Sequence, residues 1–232
     1  MKNLEANPYL FEKENPIPLV TREDILSQKA KVHSEFCDRF LGFNIANIEE
    51  IIRHKRHSSD LEKFETWAHL PAQVFLTPYT ELRYICSLLP LSPTDIVADL
   101  GCAYARMPHV LQRFYPEVRF LGLECVQERV DESIRVAKIW GIENCIIYLT
   151  DLSLESFDLP MAQHYFIYDT GTQSDVEKIL LKMRERVFAK QNSFKVKSLV
   201  LRGARSLEVA RREHPWLPQP IESHQNFKIF HF

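Results

Sequence analysis

Apolar and polar residues follow one pattern before about residue 95 and another pattern after it. In the first part the apolar residues recur at helical spacing, which predicts helices over 21–40, 44–57 and 78–88. Thr21 and the acid three residues later fit a capping box at the start of the first helix. The apolar faces are predicted from Ile25, Val32, Phe36 and Phe40 in the first helix and from Ile45, Ile48, Ile51 and Ile52 in the second.

From residue 95 onward, short apolar runs alternate with amphipathic segments. The predicted strands are 95–100, 118–123, 144–149, 163–168, 196–202 and 227–232, and the predicted helices are 106–114, 126–140, 174–189 and 206–213. Such alternation predicts an α/β fold with a doubly wound, mostly parallel sheet covered on both faces. The last strand alternates strictly and is predicted to be an added antiparallel edge strand. We expect an N-terminal extended and helical segment over 1–76 and the α/β domain over 77–232.

The segment around the first of these strands carries the most distinctive chemistry. The strand ends in Asp99-Leu100-Gly101, and small residues follow. Glycine permits a positive φ and a close approach of the backbone to a ligand. In an open α/β sheet, ligands bind outside the carboxyl ends of the strands. Asp99 is therefore a candidate for holding the ammonium group of a ligand.

Acids also follow the next two strands. Glu124 ends the second strand, one strand–helix–strand unit after Asp99, and Asp151 follows the third. A carboxylate at the position of Glu124 accepts hydrogen bonds from the two hydroxyls of a ribose, a feature shared with NAD-binding folds. The structural alternatives are that Glu124 caps the next helix and that Asp151 is a turn residue.

This series of acids at three successive strand ends resembles that of the class I S-adenosylmethionine (SAM)-dependent methyltransferases. That family carries an acid-x-Gly-x-Gly-x-Gly pattern after its first strand, whereas this chain has Ala103 and Ala105 at the second and third glycines. The resemblance implies a Rossmann-like methyltransferase fold, SAM as cofactor and transfer of a methyl group. The residues that it implies for cofactor binding are Asp99, Gly101, Ala103, Glu124, Cys125, Asp151 and Leu152. It also implies that Tyr168, at the end of the fourth strand, and Asp169, just after it, act on the acceptor as catalytic residues. The acid-or-Asn-Pro-Pro-aromatic turn of enzymes that methylate exocyclic or amide nitrogens is absent here, which argues against that subclass, and the structural alternative is that Asp169 is a solvated turn acid.

A second resemblance concerns the segment before the α/β domain. Thr77, Tyr79 and Glu81 form a Tyr-x-Glu-like element similar to the loop that closes over SAM in the non-SET class of histone lysine methyltransferases. By that resemblance all three become cofactor contacts, and a protein side chain is favoured as methyl acceptor over a small molecule or nucleic acid. The alternative is that Pro78 simply begins a helix with Glu81 in its first turn.

Composition narrows the classes of function. The chain has 232 residues, a formal net charge of −2 and 26% charged residues, so it lacks the basic excess typical of nucleic-acid-binding proteins. The five cysteines are scattered without a C-x-x-C pair, so neither a disulfide framework nor a metal site is predicted. The polar N-terminus and the absence of a long apolar run predict a cytoplasmic protein without a membrane segment.

Two other functions are consistent with the same residues. Ala103 and Ala105 suit a non-catalytic scaffold or regulatory protein that keeps the methyltransferase fold. Glu124 also suits an NAD-linked oxidoreductase, although the G-x-G-x-x-G fingerprint is not met. The sequence does not specify the methyl acceptor or the oligomeric state.

Overall fold

A seven-stranded sheet organises the chain. The computed structural model describes residues 28–56, 70–189 and 194–232. The strands are β1 (Ile96–Leu100), β2 (Arg119–Glu124), β3 (Cys145–Leu149), β4 (His164–Tyr168), β5 (Ser198–Arg202), β6 (Glu222–Ser223) and β7 (Phe227–His231). All six predicted strands are present, with ends that differ by at most two residues.

The strand order is β3-β2-β1-β4-β5-β7-β6. Strands β1 to β5 pair with one another in parallel, and β7 is antiparallel to β5. The order reverses between β1 and β4, which places a topological switch point beside the end of β1. The doubly wound, mostly parallel sheet is therefore confirmed.

The C-terminal prediction is half right. The antiparallel direction of β7 is confirmed, but β7 is not the edge strand, because the two-residue strand β6 pairs with its outer side. Strand β6 is too short to show alternation in the sequence, so only the hairpin geometry reveals it.

Helices cover both faces of the sheet. They are α1 (Gln28–Leu41), α2 (Ile45–Arg56), α3 (Ala72–Phe75), α4 (Tyr79–Leu88), α5 (Met107–Phe114), α6 (Gln127–Ile139), α7 (Gln173–Phe188) and α8 (Ala204–Glu213). The capping box predicted at Thr21 lies outside the described residues. The single-turn helix α3 was not predicted, because four residues carry too little periodicity.

The predicted apolar face of α1 is wrong at Val32, whereas Phe40 is partly buried and packs against the core, and Ile25 lies outside the described residues. Val32 is 54% exposed, and the buried face instead carries Ala30, Ser34, Cys37, Asp38 and Leu41. The reason is that Asp38 is hydrogen-bonded inside the core, so the helix turns a polar residue inward that a hydrophobicity pattern assigns to the surface. In α2 the prediction holds for Ile45, Ile48 and Ile52, whereas Ile51 is 40% exposed.

Two apolar clusters lie on opposite faces of the sheet. Alternate residues of β1 divide between them, with Val97 in one cluster and Ala98 and Leu100 in the other. The first cluster includes residues of α1, α2 and α4 as well as α5 and α6, so the N-terminal helices share a core with the sheet. The proposed boundary at residue 76 stays a prediction. Among the described residues, no helix is long and apolar enough to cross a membrane.

Candidate functional site

A cleft opens at the carboxyl ends of β1 to β4, where the sequence places its acids. It encloses about 930 Å³ including its open mouth. Its walls come from α3, from the loops after β1, β2, β3 and β4, and from the first turns of α6 and α7. Its lining includes Phe75, Gly101, Ala103, Glu124, Cys125, Arg129, Asp151, Leu152, Tyr168, Asp169 and Thr170.

Asp99 lies in a smaller hollow next to the cleft, which we call the inner hollow. Gly101, Ala103 and Tyr168 line both spaces, so they communicate. The Asp99 side chain is 7% exposed, and its carboxylate makes no hydrogen bond with a described residue. Burial, and then the nearby charge of Glu124, raise the pKa of Asp99 to about 8. A buried carboxylate without a donor is costly and is typical of a site that awaits a cationic partner.

Glu124 is buried and already accepts three backbone N–H groups. Its Oε2 atom accepts from Ala103 at 2.9 Å, and its Oε1 atom accepts from Cys125 and Val126 at 3.0 Å each. Glu124 thus ties the loop after β1 to the end of β2 and to the two residues that precede α6, although α6 itself has no side-chain cap. Because Oε2 accepts only one of these bonds, it retains capacity for a ligand hydroxyl.

The loop after β3 supplies the far wall of the cleft. Oδ1 of Asp151 accepts bonds from the Ser153 amide at 2.8 Å and the Ser153 hydroxyl at 2.6 Å, which is an Asx turn. The Oδ2 atom of Asp151 makes no hydrogen bond with a described residue. Leu152 gives the same wall an apolar surface, and Cys125 faces it from the loop after β2. Asp151 is therefore a turn residue and also keeps a free acceptor at the cleft.

The loop after β1 has a positive φ at both alanines that replace glycines of the class I methyltransferase pattern. Ala103 has φ +48° and Ala105 has φ +46°, and Gly101 has φ +90°. A Cβ atom on Gly101 would lie 2.6 Å from Oγ1 of Thr170, so this glycine lets the loops after β1 and β4 approach. The alanines thus keep the glycine-like backbone at a strain of about 1 kcal/mol each.

Asp169 and Tyr168 lie at the end of β4 and line the cleft, as predicted. Oδ1 of Asp169 accepts a hydrogen bond from the Ser206 amide at 2.7 Å, at the start of α8. The Tyr168 hydroxyl donates to the Val74 carbonyl at 2.8 Å. The guanidinium carbon of Arg202 lies 3.9 Å from the centroid of the Tyr168 ring. Both residues thus also have structural contacts, and their catalytic roles stay predictions.

The residues Thr77, Tyr79 and Glu81 lie in three different environments. Thr77 lines the inner hollow with Asp99. Tyr79 is fully buried and donates a hydrogen bond from its hydroxyl to Oδ1 of Asp38 at 3.0 Å, and it lines neither the cleft nor the inner hollow. Glu81 is also fully buried and lines a third space. Helix α4 begins just after Pro78 with Glu81 in its first turn, which confirms the structural alternative.

Three buried ion pairs, which sequence reasoning missed, join the N-terminal helices to the sheet. Each joins a carboxylate of one of these helices to an arginine of the α/β part: Asp38 with Arg106, Glu49 with Arg129, and Glu81 with Arg202. The partners of each pair are far apart along the chain, so no local pattern signals them.

Arg129 connects one of these pairs to the cleft. It is 2% exposed, and its Nη1 atom lies 3.9 Å from Oε1 of Glu124. Its guanidinium carbon lies 4.8 Å from the ring centroid of Phe75 on α3. Both residues line the cleft. Through Arg129 and Phe75 the N-terminal region helps to build the cleft wall.

Comparison with known proteins agrees with this arrangement at the level of the fold. No protein-family model and no curated protein matches the chain. Precorrin-6y C5,15-methyltransferase from Geobacter metallireducens matches with a TM-score of 0.50 and 19% identity over 73% of this chain and 92% of that one. TrmN from Thermus thermophilus matches with a TM-score of 0.50 and 12% identity over 66% of this chain and 48% of that one.

Other matches are more partial. A dimethyladenosine transferase from Plasmodium falciparum matches with a TM-score of 0.40 and 15% identity, and the match covers 52% of this chain and 39% of that one. The chain thus spans less than half the length of two of these three proteins. At these identities the likeness concerns the architecture alone. The chain has the fold of the class I SAM-dependent methyltransferases, with an N-terminal helical region.

Proposed function

We propose that this chain is a SAM-dependent methyltransferase. The observation that carries the proposal is Asp99, a buried carboxylate without a described donor, at the switch point of a methyltransferase fold. Glu124 and Asp151 stand at the next two strand ends, so acceptor groups follow one another along the cleft. Such a row suits an extended ligand with a cationic end, hydroxyls and an exocyclic amine.

The residues present fit SAM. Asp99 would accept from the ammonium group of the methionyl part, and Oε2 of Glu124 would accept from a ribose hydroxyl. Asp151 would accept from the adenine amine, and Leu152 and Cys125 would border the base. Gly101 and Ala103 would keep the backbone close to the ligand. Thr77 lies beside Asp99, whereas Tyr79 and Glu81 would support the site through their partners rather than touch the cofactor.

When bound, SAM supplies an electrophilic methyl group on a positively charged sulfur. The chain's own residues have three tasks: to hold the cofactor, to orient the acceptor and to remove a proton where the nucleophile carries one. Tyr168, whose hydroxyl donates a hydrogen bond to the Val74 carbonyl, would help to orient the acceptor. The Asp169 carboxylate, which also accepts a hydrogen bond from the Ser206 amide at Oδ1, would receive the proton of the nucleophile.

The contacts of Tyr79 and Glu81 bear on the kind of methyl acceptor. The preference for a protein side chain came from the resemblance at Thr77–Glu81. Tyr79 and Glu81 are engaged by Asp38 and Arg202, so they give that preference no support.

Calorimetric titration with SAM and S-adenosylhomocysteine tests the proposal. We expect binding by the wild type and a loss of about tenfold to hundredfold in affinity in Asp99→Ala, because a charge-assisted hydrogen bond is removed. Glu124→Gln keeps the size of the side chain and reports the ribose contact. Glu117→Ala, an exposed acid at the opposite end of the sheet, is the matched control and retains wild-type affinity.

Three outcomes would contradict the proposal. A folded wild type that binds neither compound would remove the cofactor site altogether. Binding without transfer of labelled methyl to any acceptor fraction would favour the non-catalytic alternative. Bound nicotinamide cofactor, visible by absorbance in the purified protein, would instead indicate the oxidoreductase.

A further inference from the structure

A third space, which we call the outer hollow, adjoins both the cleft and the inner hollow. It measures about 460 Å³ including its open mouth, and it lies between α1, α3, the start of α4 and the end of β5. The outer hollow shares Leu76 and Tyr168 with the lining of the inner hollow. It shares Val74 and Tyr168 with the lining of the cleft. Tyr168 therefore separates a ligand in the outer hollow from the cleft wall formed by Glu124 and Asp151. Such a ligand would also lie next to the inner hollow, which Asp99 lines.

The charged groups of the outer hollow leave a positive excess. Arg202 is 6% exposed, and it pairs with Glu81 through bonds of 2.6 Å from Nε and 2.9 Å from Nη2, which cancels both charges. Lys31 of α1 lines the same space and makes no hydrogen bond or ion pair with a described residue. The side-chain amide of Asn226, on the opposite wall, likewise makes no hydrogen bond with one.

The side-chain amide of Gln73 also lines the outer hollow, but its nitrogen and its oxygen are both already hydrogen-bonded within the protein. Its nitrogen donates to Asp38 at 3.2 Å, and its oxygen accepts from Arg106 at 2.9 Å. The polar groups left for a ligand are thus the Lys31 ammonium and the Asn226 amide. The first offers only donors and a positive charge.

We infer that the outer hollow seats the methyl acceptor, and that this acceptor is a small molecule with an acidic group, a carboxylate or a phosphate, bound beside Lys31. The inference rests on the proposed methyltransferase function. The outer hollow is a recess between side chains of α1, α3, α4 and β5 rather than a flat surface, which favours a small molecule over a macromolecular surface. The acidic group sits at Lys31, and the nucleophile points past Tyr168 toward the inner hollow.

A basic acceptor, such as a lysine side chain, fits the same space poorly. Glu81 is the acid of the outer hollow, and both of its oxygens are taken by Arg202. A cationic acceptor would have to displace that arginine or lie beside Lys31 without a counter-charge, and either arrangement is costly.

Matched small probes test the inference. Benzoate and benzamide have the same shape and differ in charge, and inorganic phosphate represents the second acidic group. Each is titrated by ligand-observed NMR into the full-length protein, alone and saturated with S-adenosylhomocysteine. The variants are Lys31→Gln and, as the matched control, Lys29→Gln, which changes an exposed lysine of the same helix. Binding of S-adenosylhomocysteine is measured by calorimetry in the same samples.

We expect benzoate to bind the wild type about tenfold more tightly than benzamide, and Lys31→Gln to remove that preference while Lys29→Gln keeps it. The tighter of benzoate and phosphate identifies the acidic group. Equal binding of benzoate and benzamide, equal effects of the two variants, or no binding of either anion would each overturn the inference. If benzoate binding depends on Lys31 in a protein that does not bind S-adenosylhomocysteine, the acceptor role fails with the proposed function and only an anion site remains.

Discussion

Two aspartates at opposite ends of β1 have opposite surroundings. Asp95, just before the strand, accepts hydrogen bonds from the Ser92 amide at 2.8 Å, from Nζ of Lys197 at 2.9 Å and from Nε2 of His164 at 3.0 Å. Asp99, near the other end, has no donor among the described residues. Burial tends to raise the pKa of both. At Asp95 the bonds from Lys197 and His164 outweigh burial and hold the pKa below its usual value, whereas at Asp99 the pKa rises to about 8.

The amino end of the sheet shows that the right residue types alone do not make an active site. Ser198, His164 and Asp95 are joined in a row, with 2.6 Å between Oγ of Ser198 and Nδ1 of His164. This is the composition of a serine-hydrolase triad. Ser198 and His164 are 0% and 1% exposed, so no substrate reaches them. Because the Asp95 carboxylate only accepts, Nε2 of His164 carries the proton, and the row stabilises the fold as a satisfied network.

The two ends of the sheet thus differ in whether their buried carboxylates receive hydrogen bonds from the protein. The end where they do is structural, and the end where they do not is the candidate functional site. At the amino end the buried charge of Asp95 has its partners within the protein. At the carboxyl end Asp99 and one oxygen of Asp151 have no such partner among the residues that the structure describes. The energy lost there is recovered only when a ligand supplies the donors.

The largest expected effect is on the pH dependence of stability. Because the pKa of Asp99 is about 8 when folded and 3.8 in the reference state, the folded protein binds the extra proton between these values. Its contribution to stability is full below pH 3.8 and is lost as pH rises through about 8. The loss amounts to about 1.4 kcal/mol per pH unit, or about 4 kcal/mol between pH 5 and pH 8.

Asp99→Asn removes this dependence, and urea unfolding of both proteins across that range measures it. We expect the variant to become the more stable of the two as pH rises. Asp131→Asn, an exposed acid on α6, is the control and follows the wild type. Parallel curves for the wild type and Asp99→Asn would mean that Asp99 is ionised and satisfied in the free protein.

The second effect concerns the affinity for SAM. If the ammonium group binds ionised Asp99, the carboxyl must first lose its proton. Affinity should therefore rise about tenfold per pH unit below pH 8, or about thirtyfold between pH 6 and pH 7.5. Calorimetry in buffers of different ionisation enthalpy should detect one proton released on binding. A flat profile in the wild type would show that Asp99 does not receive the cation, and Asp99→Asn gives the expected flat reference.

The smallest effect is expected on stability at the amino end of the sheet, where Asp95 is hydrogen-bonded. Asp95→Asn should destabilise the protein by about 1.5 kcal/mol at pH 7, because Lys197 loses its counter-charge while the shape is kept. Lys197 is 32% exposed, which limits the loss. Denaturant unfolding measures it, with Asp158→Asn, whose side chain is 76% exposed and lies 3.7 Å from Arg186, as a surface-pair control. A loss no larger than that of the control would remove the contrast between the two ends of β1.

The sequence was sufficient for the α/β part and for the place of the cleft. Apolar runs and amphipathic segments repeat from residue 95 onward with clear periods, and each period follows from local geometry. Parallel strands also bring their carboxyl ends to one edge, so acids that follow successive strands meet without further information. For this reason Asp99, Glu124 and Asp151 could be grouped before the fold was known.

The sequence failed where a residue's environment is set by a distant partner. Glu81 was predicted to touch the cofactor, but Arg202, which is 121 residues away along the chain, holds it at the outer hollow. Val32 was predicted for the core, but Asp38 turns α1 inward through its bonds to Tyr79 and Arg106. Burial of a charge depends on whether a counter-charge reaches it, and no periodic pattern encodes that distance.

The sequence by itself determined the order of strands and helices in the α/β part, its doubly wound class and the edge at which its acids gather, because these follow from residue spacing and backbone geometry. Only the tertiary structure decided which acids are satisfied. It gave Asp95 to Lys197 and His164, gave Glu124 to three backbone amides, and left Asp99 without a described donor. The physical reason is that hydrogen bonding and desolvation depend on atoms brought together across the whole chain, whereas periodicity depends only on neighbours.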